Sequence, residues 1–421
     1  MENQSLVFYP GQILAGTVLL QLEEPCTARE VTLYLRGKAK NHWTKTRSYS
    51  GANGTRHTTT DHYDSRIVII DESIRLWGDG KKDKIPTGNY EFPFSFRLPI
   101  SCLPSFEGEY GHIRYELKVE IDRPWRFDEE ATCPFTVVTV CDLNLFPYAK
   151  EPAFHVVCEK TGLPIFRRGD VGVEVYMPKQ GFVPGETIPV KITISNESSK
   201  DMESIELVLR EYVDYAAFHP GSDFPVNALY TESACGSSLK EHRRDVANVE
   251  MPVKLDAHSE GSFTVNLVIP PIVASFQCAI TRVYYMLKVA ASTEATFNSK
   301  VKLKMPLMIG TIPFREDPPP PLDSPPAYPS AHPDPQPFLQ PGFIRDAPQF
   351  APQPSNNNPS APPAEESTEA TAPPLSPPAG PPPSYQESIF GPTAPEGERR
   401  PFAPRFPFYP HLSIDSLKIE K

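Results

Sequence analysis

The chain has 421 residues, 51 prolines, seven cysteines and a formal net charge of −11. The acidic balance argues against a nucleic-acid binder, which carries a basic excess. The cysteines (Cys26, Cys102, Cys133, Cys141, Cys158, Cys235, Cys278) are odd in number, widely spaced and free of any C-x-x-C. That pattern fits reduced thiols better than a disulfide framework or a zinc site. No apolar run approaches the ~20 residues that span a bilayer, and the opening MENQSLVFYPG lacks the form of a signal peptide.

In chain order, the first 310 residues read as strands. Val31, Leu33 and Leu35 alternate with Thr32, Tyr34 and Arg36. Phe92, Phe94, Phe96 and Leu98 alternate with Pro93, Ser95 and Arg97; Tyr115, Leu117, Val119 and Ile121 alternate with Glu116, Lys118, Glu120 and Asp122. Such period-two alternation gives one apolar and one wet face, as in a half-buried antiparallel sheet. No long segment has helical periodicity, so the fold class is all-β. Two polar stretches, Lys38 to Asp64 and Tyr215 to Arg244, are expected to be loops, either surface insertions or binding loops on a sandwich rim.

The pattern then recurs. Pro10-Gly11-Gln12 returns as Pro184-Gly185-Glu186, and at the same offset of 174 Val31, Leu33, Leu35 and Arg36 meet Ile205, Leu207, Leu209 and Arg210. At an offset of 171, Phe92, Phe94, Phe96, Leu98 and Pro99 meet Phe263, Val265, Leu267, Ile269 and Pro270. At 170, Ser105-Phe106 meets Ser275-Phe276, and Tyr115, Leu117, Lys118 and Val119 meet Tyr285, Leu287, Lys288 and Val289. Four blocks in the same order indicate two copies of one domain. The expected limits are 1–145 and 165–310, with a connection over 146–164.

Beyond that, proline takes over: 31 of the 51 prolines follow residue 310. A segment so rich in proline cannot sustain helix or sheet hydrogen bonding and buries little apolar surface, so 311–421 is expected to be a disordered tail. It carries four short peptide codes. Pro325-Pro326-Ala327-Tyr328 and Pro382-Pro383-Ser384-Tyr385 are PPxY; Pro359-Ser360-Ala361-Pro362 and Pro392-Thr393-Ala394-Pro395 are P-[ST]-A-P. PPxY adopts polyproline II geometry before binding, and WW domains are its usual readers. Tyr328 and Tyr385 lie 57 residues apart, a span of ~40 Å for a flexible coil. Two WW domains of one partner would engage together across it. P-[ST]-A-P matches the late-domain ligand of the ubiquitin-variant domain in the ESCRT budding machinery.

Enzyme motifs are missing: no G-x-S-x-G, P-loop, G-x-G-x-x-G or H-E-x-x-H occurs. His57 and His62, with Asp61 and Asp64, are the nearest approach to a metal cluster; a solvated stretch is the better reading, because no further ligand has a recognised spacing. No catalytic residue, cofactor or metal is assigned.

The Tyr9-Pro10-Gly11-Gln12 and Val183-Pro184-Gly185-Glu186 openings, the Pro104-Ser105-Phe106-Glu107-Gly108 turn before a Tyr-x-Leu-x-Val strand, and the Lys304 to Gly310 ending resemble the arrestin-domain proteins. The PPxY tail resembles the α-arrestin branch. The resemblance implies two tandem arrestin-type, immunoglobulin-like β-sandwiches followed by the disordered tail. It implies a non-catalytic cytoplasmic adaptor, peripheral to the membrane and recruited to the plasma membrane and endosomes. It implies membrane cargo, a transporter or receptor, held by the sandwiches. The partner at Pro325, Pro326, Tyr328, Pro382, Pro383 and Tyr385 would be a HECT-type ubiquitin ligase with WW domains, and the outcome ubiquitination, endocytosis and sorting of the cargo. If the P-[ST]-A-P codes act, the alternative is an ESCRT-recruiting scaffold for budding at the plasma membrane; a third reading is a receptor-desensitising signalling scaffold. Family members have a full edge strand before the Y-x-P-G turn. Only eight residues precede Tyr9, so that strand is expected to be short or missing and the first sandwich less stable for it. No match to the auto-inhibitory carboxyl tail of visual and β-arrestins is visible.

Overall fold

A computed structural model describes residues 6–50, 56–161, 169–217, 238–295, 299–315, 386–388 and 403–412. All of them fall in one compact unit assembled from Met1–Arg315 and Ser384–Lys421.

The first sandwich is built from β1 (Val7–Phe8), β2 (Ile13–Leu22), β3 (Cys26–Ser50), β4 (Arg56–Ile85), β5 (Gly88–Arg97), β6 (Phe106–Glu107), β7 (Gly111–Asp122) and β8 (Glu129–Val137). One sheet has the order β1-β8-β7-β3-β4 with β6 beside β7; the other pairs β2 with β5. The alternation seen in the sequence explains the packing. Leu33, Leu35, Tyr115 and Leu117 from the large sheet and Leu14, Phe94 and Phe96 from the small one are buried in one cluster. A 3-10 turn (Leu143–Leu145) and a single helical turn, α1 (Pro147–Lys150), lead into the second copy.

The second sandwich contains β9 (Ala153–Lys160), β10 (Asp170–Met177), β11 (Gly181–Phe182), β12 (Thr187–Asn196), β13 (Met202–Ala217), β14 (Ser238–Leu255), β15 (Ser259–Val268), β16 (Phe276–Gln277), β17 (Thr281–Thr293) and β18 (Lys300–Ile309). Its large sheet, β11-β18-β17-β13-β14, repeats that of the first copy, and its second sheet runs β15-β12-β10-β9. Residues 153–160, in the stretch read from sequence as connection, thus form an edge strand. In the first copy the strand ahead of the Pro-Gly turn is the two-residue β1, paired in parallel with Thr136 and Val137. The matching β11 pairs in parallel with Met308 and Ile309. The second copy adds β10 before that, and no described residue of the first copy corresponds to it.

The duplication extends to individual hydrogen bonds. Gly11 N–H donates to Leu98 O and Leu98 N–H to Gln12 O; Gly185 N–H donates to Ile269 O and Ile269 N–H to Glu186 O. Tyr115 O–H donates to Leu103 O at 2.7 Å, and Tyr285 O–H to Val273 O at 2.7 Å. Ser105 Oγ accepts Val137 N–H as Ser275 Oγ accepts Ile309 N–H. Each tyrosine is fully buried, so its hydroxyl needs such a partner.

The first expected polar loop is corrected, as are the described ends of the second. Lys38 to Asp64 lies largely in the long β3–β4 hairpin, whose register runs from Cys26↔Ile85 out to Ser50↔Arg56. The described ends of the second stretch extend β13 to Ala217 and begin β14 at Ser238, with Tyr215 opposite Lys240. Threonine and histidine are not loop signals here. Among the described residues they populate the wet face of the hairpin, while Ala39, Asn41, Trp43, Tyr63 and Ser65 form its buried face.

Candidate functional site

The corrected hairpin matters because its buried face meets the second sandwich. Asn41 is 1% exposed. Its Nδ2 donates to Ala216 O at 3.1 Å and Ile280 O at 2.6 Å, and its Oδ1 accepts from Thr281 Oγ1 at 3.2 Å. Ser65 Oγ donates to Ala216 O at 2.7 Å, and Lys45 Nζ reaches Ser238 Oγ. Phe106 and Phe276, matched residues of the two copies, meet edge to face at 5.7 Å. Tyr110 and Tyr215 do the same at 5.7 Å. A satisfied buried amide fixes relative placement more strictly than apolar contact, because slipping would orphan its groups.

The chain also ties its two domain ends together. Cys141 N–H donates to Thr311 Oγ1, Thr311 N–H to Cys141 O, and Leu143 N–H to Ile312 O. Arg315 closes the bundle through its N–H to Asn144 Oδ1 at 3.0 Å and its guanidinium 3.8 Å from Asp142.

Within the stretch read as tail, Ala403–Leu412 packs on this joint. Strand β20 (Phe406–Phe408) pairs antiparallel with β19 (Gln386–Ser388), Gln386 opposite Phe408. Arg405 N–H donates to Thr136 Oγ1 at 3.3 Å in the first sandwich. Phe406 rests against the main core. Tyr409 is 2% exposed and clusters with Leu143, Ala149 and Val183. Its N–H donates to Pro184 O at 3.0 Å and its O–H to Thr311 O at 2.6 Å. Gly185, at φ +94°, accommodates this approach; a Cβ there would lie 2.5 Å from Tyr409 O. Beside it, Lys179 is ion-paired with Glu186 and stands 4.8 Å and 5.1 Å from the Phe182 and Phe314 rings.

A groove of about 240 Å³ continues from the tail segment between the sandwiches, lined by Phe106, Glu211, Arg244, Ile272 and Phe406 among others. Glu211 is buried and held by Arg244 at 3.0 Å and by the Tyr285 hydroxyl at 3.2 Å. A larger cleft, about 760 Å³, opens at the far end of the first sandwich between Val18–Thr27 and Val119–Ala131. Of its lining charges, Arg123 pairs with Glu129, and Glu130 pairs with the adjacent Lys118. Beside it the β7–β8 turn carries Trp125 and Phe127, 97% and 95% exposed.

The residues assigned from sequence to partner binding lie outside the described residues. These are Pro325, Pro326, Tyr328, Pro382, Pro383 and Tyr385 for WW domains. They are Pro359, Ser360, Ala361, Pro362, Pro392, Thr393, Ala394 and Pro395 for ESCRT. The polar histidine stretch is described: Asp61 pairs with Arg47, Asp64 with His42, and His57 and His62 stack on Tyr49 and His42. Among the described residues no three His, Cys, Asp or Glu side chains gather as metal ligands. None of the described helices is long and apolar enough to cross a membrane. Sequence reasoning missed Asn41, Ser65 and Tyr409. Only Tyr409 left a signal, an apolar flicker (FPFYPHL) at the end of a proline-rich run.

Comparison with known proteins agrees with this architecture. The family model "Arrestin (or S-antigen), N-terminal domain" matches residues 1–144, and "Arrestin (or S-antigen), C-terminal domain" matches 167–314. Arrestin domain-containing protein 17 of Caenorhabditis elegans is 28% identical over 324 residues, 74% of this chain and 69% of its own. Arrestin domain-containing protein 4 of Homo sapiens is 30% identical over 314 residues, 72% and 68% of the two chains. Arrestin domain-containing protein 1 of Mus musculus is 27% identical over 219 residues, 52% and 46%. With both arrestin domains matched in order, the chain belongs to the arrestin family, in its arrestin domain-containing (α-arrestin) branch.

Proposed function

We propose that the protein is a non-catalytic adaptor that brings a WW-domain HECT ubiquitin ligase to membrane cargo. The observation that carries this is the pairing of two arrestin sandwiches with two PPxY codes, ending at Tyr328 and Tyr385, on one chain. The mechanism is local concentration. The sandwiches hold the cargo and the codes hold the ligase, so ubiquitin transfer becomes a near-intramolecular step and the cargo is marked for endocytosis and sorting. No acid, base or nucleophile of this chain takes part. Recruitment to the plasma membrane and endosomes follows the cargo.

The two P-[ST]-A-P codes favour a second reading, in which ESCRT components are recruited for budding. It adds a partner to the adaptor rather than replacing one.

A pull-down on tandem WW domains of a HECT ligase tests the primary reading, comparing the full chain with its Tyr328→Ala, Tyr385→Ala double variant. Binding by the parent chain and its loss in the double variant are expected. Equal binding by both, or none by the parent chain, sinks the ligase arm.

A further inference from the structure

We infer that the joint between the sandwiches is a peptide-binding site for a proline-spaced aromatic segment, and that its occupant is this chain's own Ala403–Leu412. The site has the features of a built receptor rather than a chance contact. It offers one enclosed socket, for the Tyr409 ring, and two backbone acceptors, Pro184 O and Thr311 O, aimed at the amide and the hydroxyl of that one residue. The groove floor is a glycine at positive φ whose missing Cβ leaves room for the ligand backbone. A third polar contact, Arg405 N–H to Thr136 Oγ1, sits on the other sandwich, so the segment bridges both.

The ligand chemistry follows. Pro404, Pro407 and Pro410 bracket the aromatic residues Phe406, Phe408 and Tyr409. Prolines stiffen the segment before binding and so reduce the ordering cost. The hydroxyl of Tyr409 ends on a buried carbonyl, which selects tyrosine over phenylalanine. Ten residues with one full anchor make a low-stability element, the kind that opens locally while the body stays folded.

Docking fixes the described residues on either side of the proline-rich run. Arg315 ties one end to Asn144, and Tyr409 ties the other to Pro184 and Thr311. Gln386, the residue after Tyr385, pairs with Phe408 of the docked strand. The second PPxY code therefore ends one residue from an element fixed to the body. This consequence rests on the proposed ligase reading; the site itself does not.

The test uses the full chain and no WW domain, so its failure is separate from a failure of the ligase reading. Hydrogen exchange is followed at residues 183–186 and 406–409, with a synthetic peptide of sequence APRFPFYPHL as probe. In the parent chain the residue-409 amide should exchange at least ten-fold more slowly than in Tyr409→Ala, and excess peptide should abolish that protection by displacement. In Tyr409→Ala, added peptide should restore protection at 183–186. Tyr409→Phe should fall between the two, and Gly185→Ala should block protection of 406–409 with or without peptide. The exchange of β13 and β17 serves as the folding control and should be the same in the parent chain, Tyr409→Ala and Tyr409→Phe. Equal exchange at 409 in parent and Tyr409→Ala, or protection indifferent to saturating peptide, would overturn the proposal.

Discussion

Gly11 and Gly185 occupy matched turns, both left-handed, with φ of +82° and +94°. Each makes the same bonds to its own sandwich. Around Gly11 the nearest atom to an added Cβ would be Ile100 Cγ2 at 3.4 Å, a contact within one copy. Around Gly185 it would be the backbone of Tyr409, more than 200 residues away in sequence. A second matched pair diverges in charge. Lys40 lies opposite His112 in the first copy, and Asp214 opposite Arg282 in the second. Duplication thus preserved the bonds that define each sandwich and released the rest. In the second copy the freed surface carries Tyr409; in the first, Lys40 stands opposite a histidine that burial holds neutral.

The joint offers the largest test of this division. Asn41→Ala removes three hydrogen bonds between the copies and strands buried partners, including Thr281 Oγ1. A loss of about 2–3 kcal/mol is expected, read by calorimetry as a single unfolding transition splitting into two. A split requires that the copies be separately folded units joined by polar contacts. One unchanged transition would mean that the shared apolar contacts alone hold them.

Acid separates the copies next. Burial, then Arg114 and Lys40, push the His112 imidazole down to about 4 from its usual 6.5. The unfolded chain therefore binds the proton more readily between these values. Stability from this group is complete above pH 6.5 and falls as the pH drops toward 4, by roughly 2 kcal/mol. The matched pair has the opposite sign. Burial, then Glu241, hold the Asp214 carboxyl above its ordinary value, so protonation there favours the folded state as pH falls. Urea unfolding from pH 7 to 4.5 should show an acid limb in the first copy that His112→Gln flattens. An acid limb that persists in that variant would contradict the assignment.

The smallest contrast lies in the twin tyrosines. Tyr115→Phe orphans Leu103 O, at about 1 kcal/mol. Tyr285→Phe also takes a donor from buried Glu211, so about 0.5–1 kcal/mol more is expected. Equal losses in denaturant melts would indicate that Arg244 alone satisfies Glu211.

These contrasts also mark how far the sequence could be read. The strands through Leu33, Phe94 and Tyr115 and their copies through Leu207, Val265 and Tyr285 were visible, because a half-buried sheet writes its two faces into alternate residues. The Pro-Gly turns and the onset of the proline-rich tail were visible as local backbone chemistry. The β3–β4 hairpin was not, since a strand pair projecting past its core is polar on most positions and resembles a loop. Asn41 was read within a polar stretch, and Ser65 gave no signal, because their partners, Ala216 and Ile280, are about 150 to 240 residues away and accept through backbone oxygens that leave no mark in composition. Tyr409 gave a weak signal for the same reason: its socket is assembled from Leu143, Val183 and Thr311, far apart in the chain.

The central claim, an adaptor that engages its ligase through two PPxY codes, is tested most directly by calorimetry of the full chain with a tandem WW protein. Against the parent chain, Tyr328→Ala and Tyr385→Ala singly should each weaken binding by ~100-fold or more through lost avidity, and together should abolish it. Full affinity in either single variant would contradict bivalent engagement; full affinity in the double variant would contradict the adaptor account.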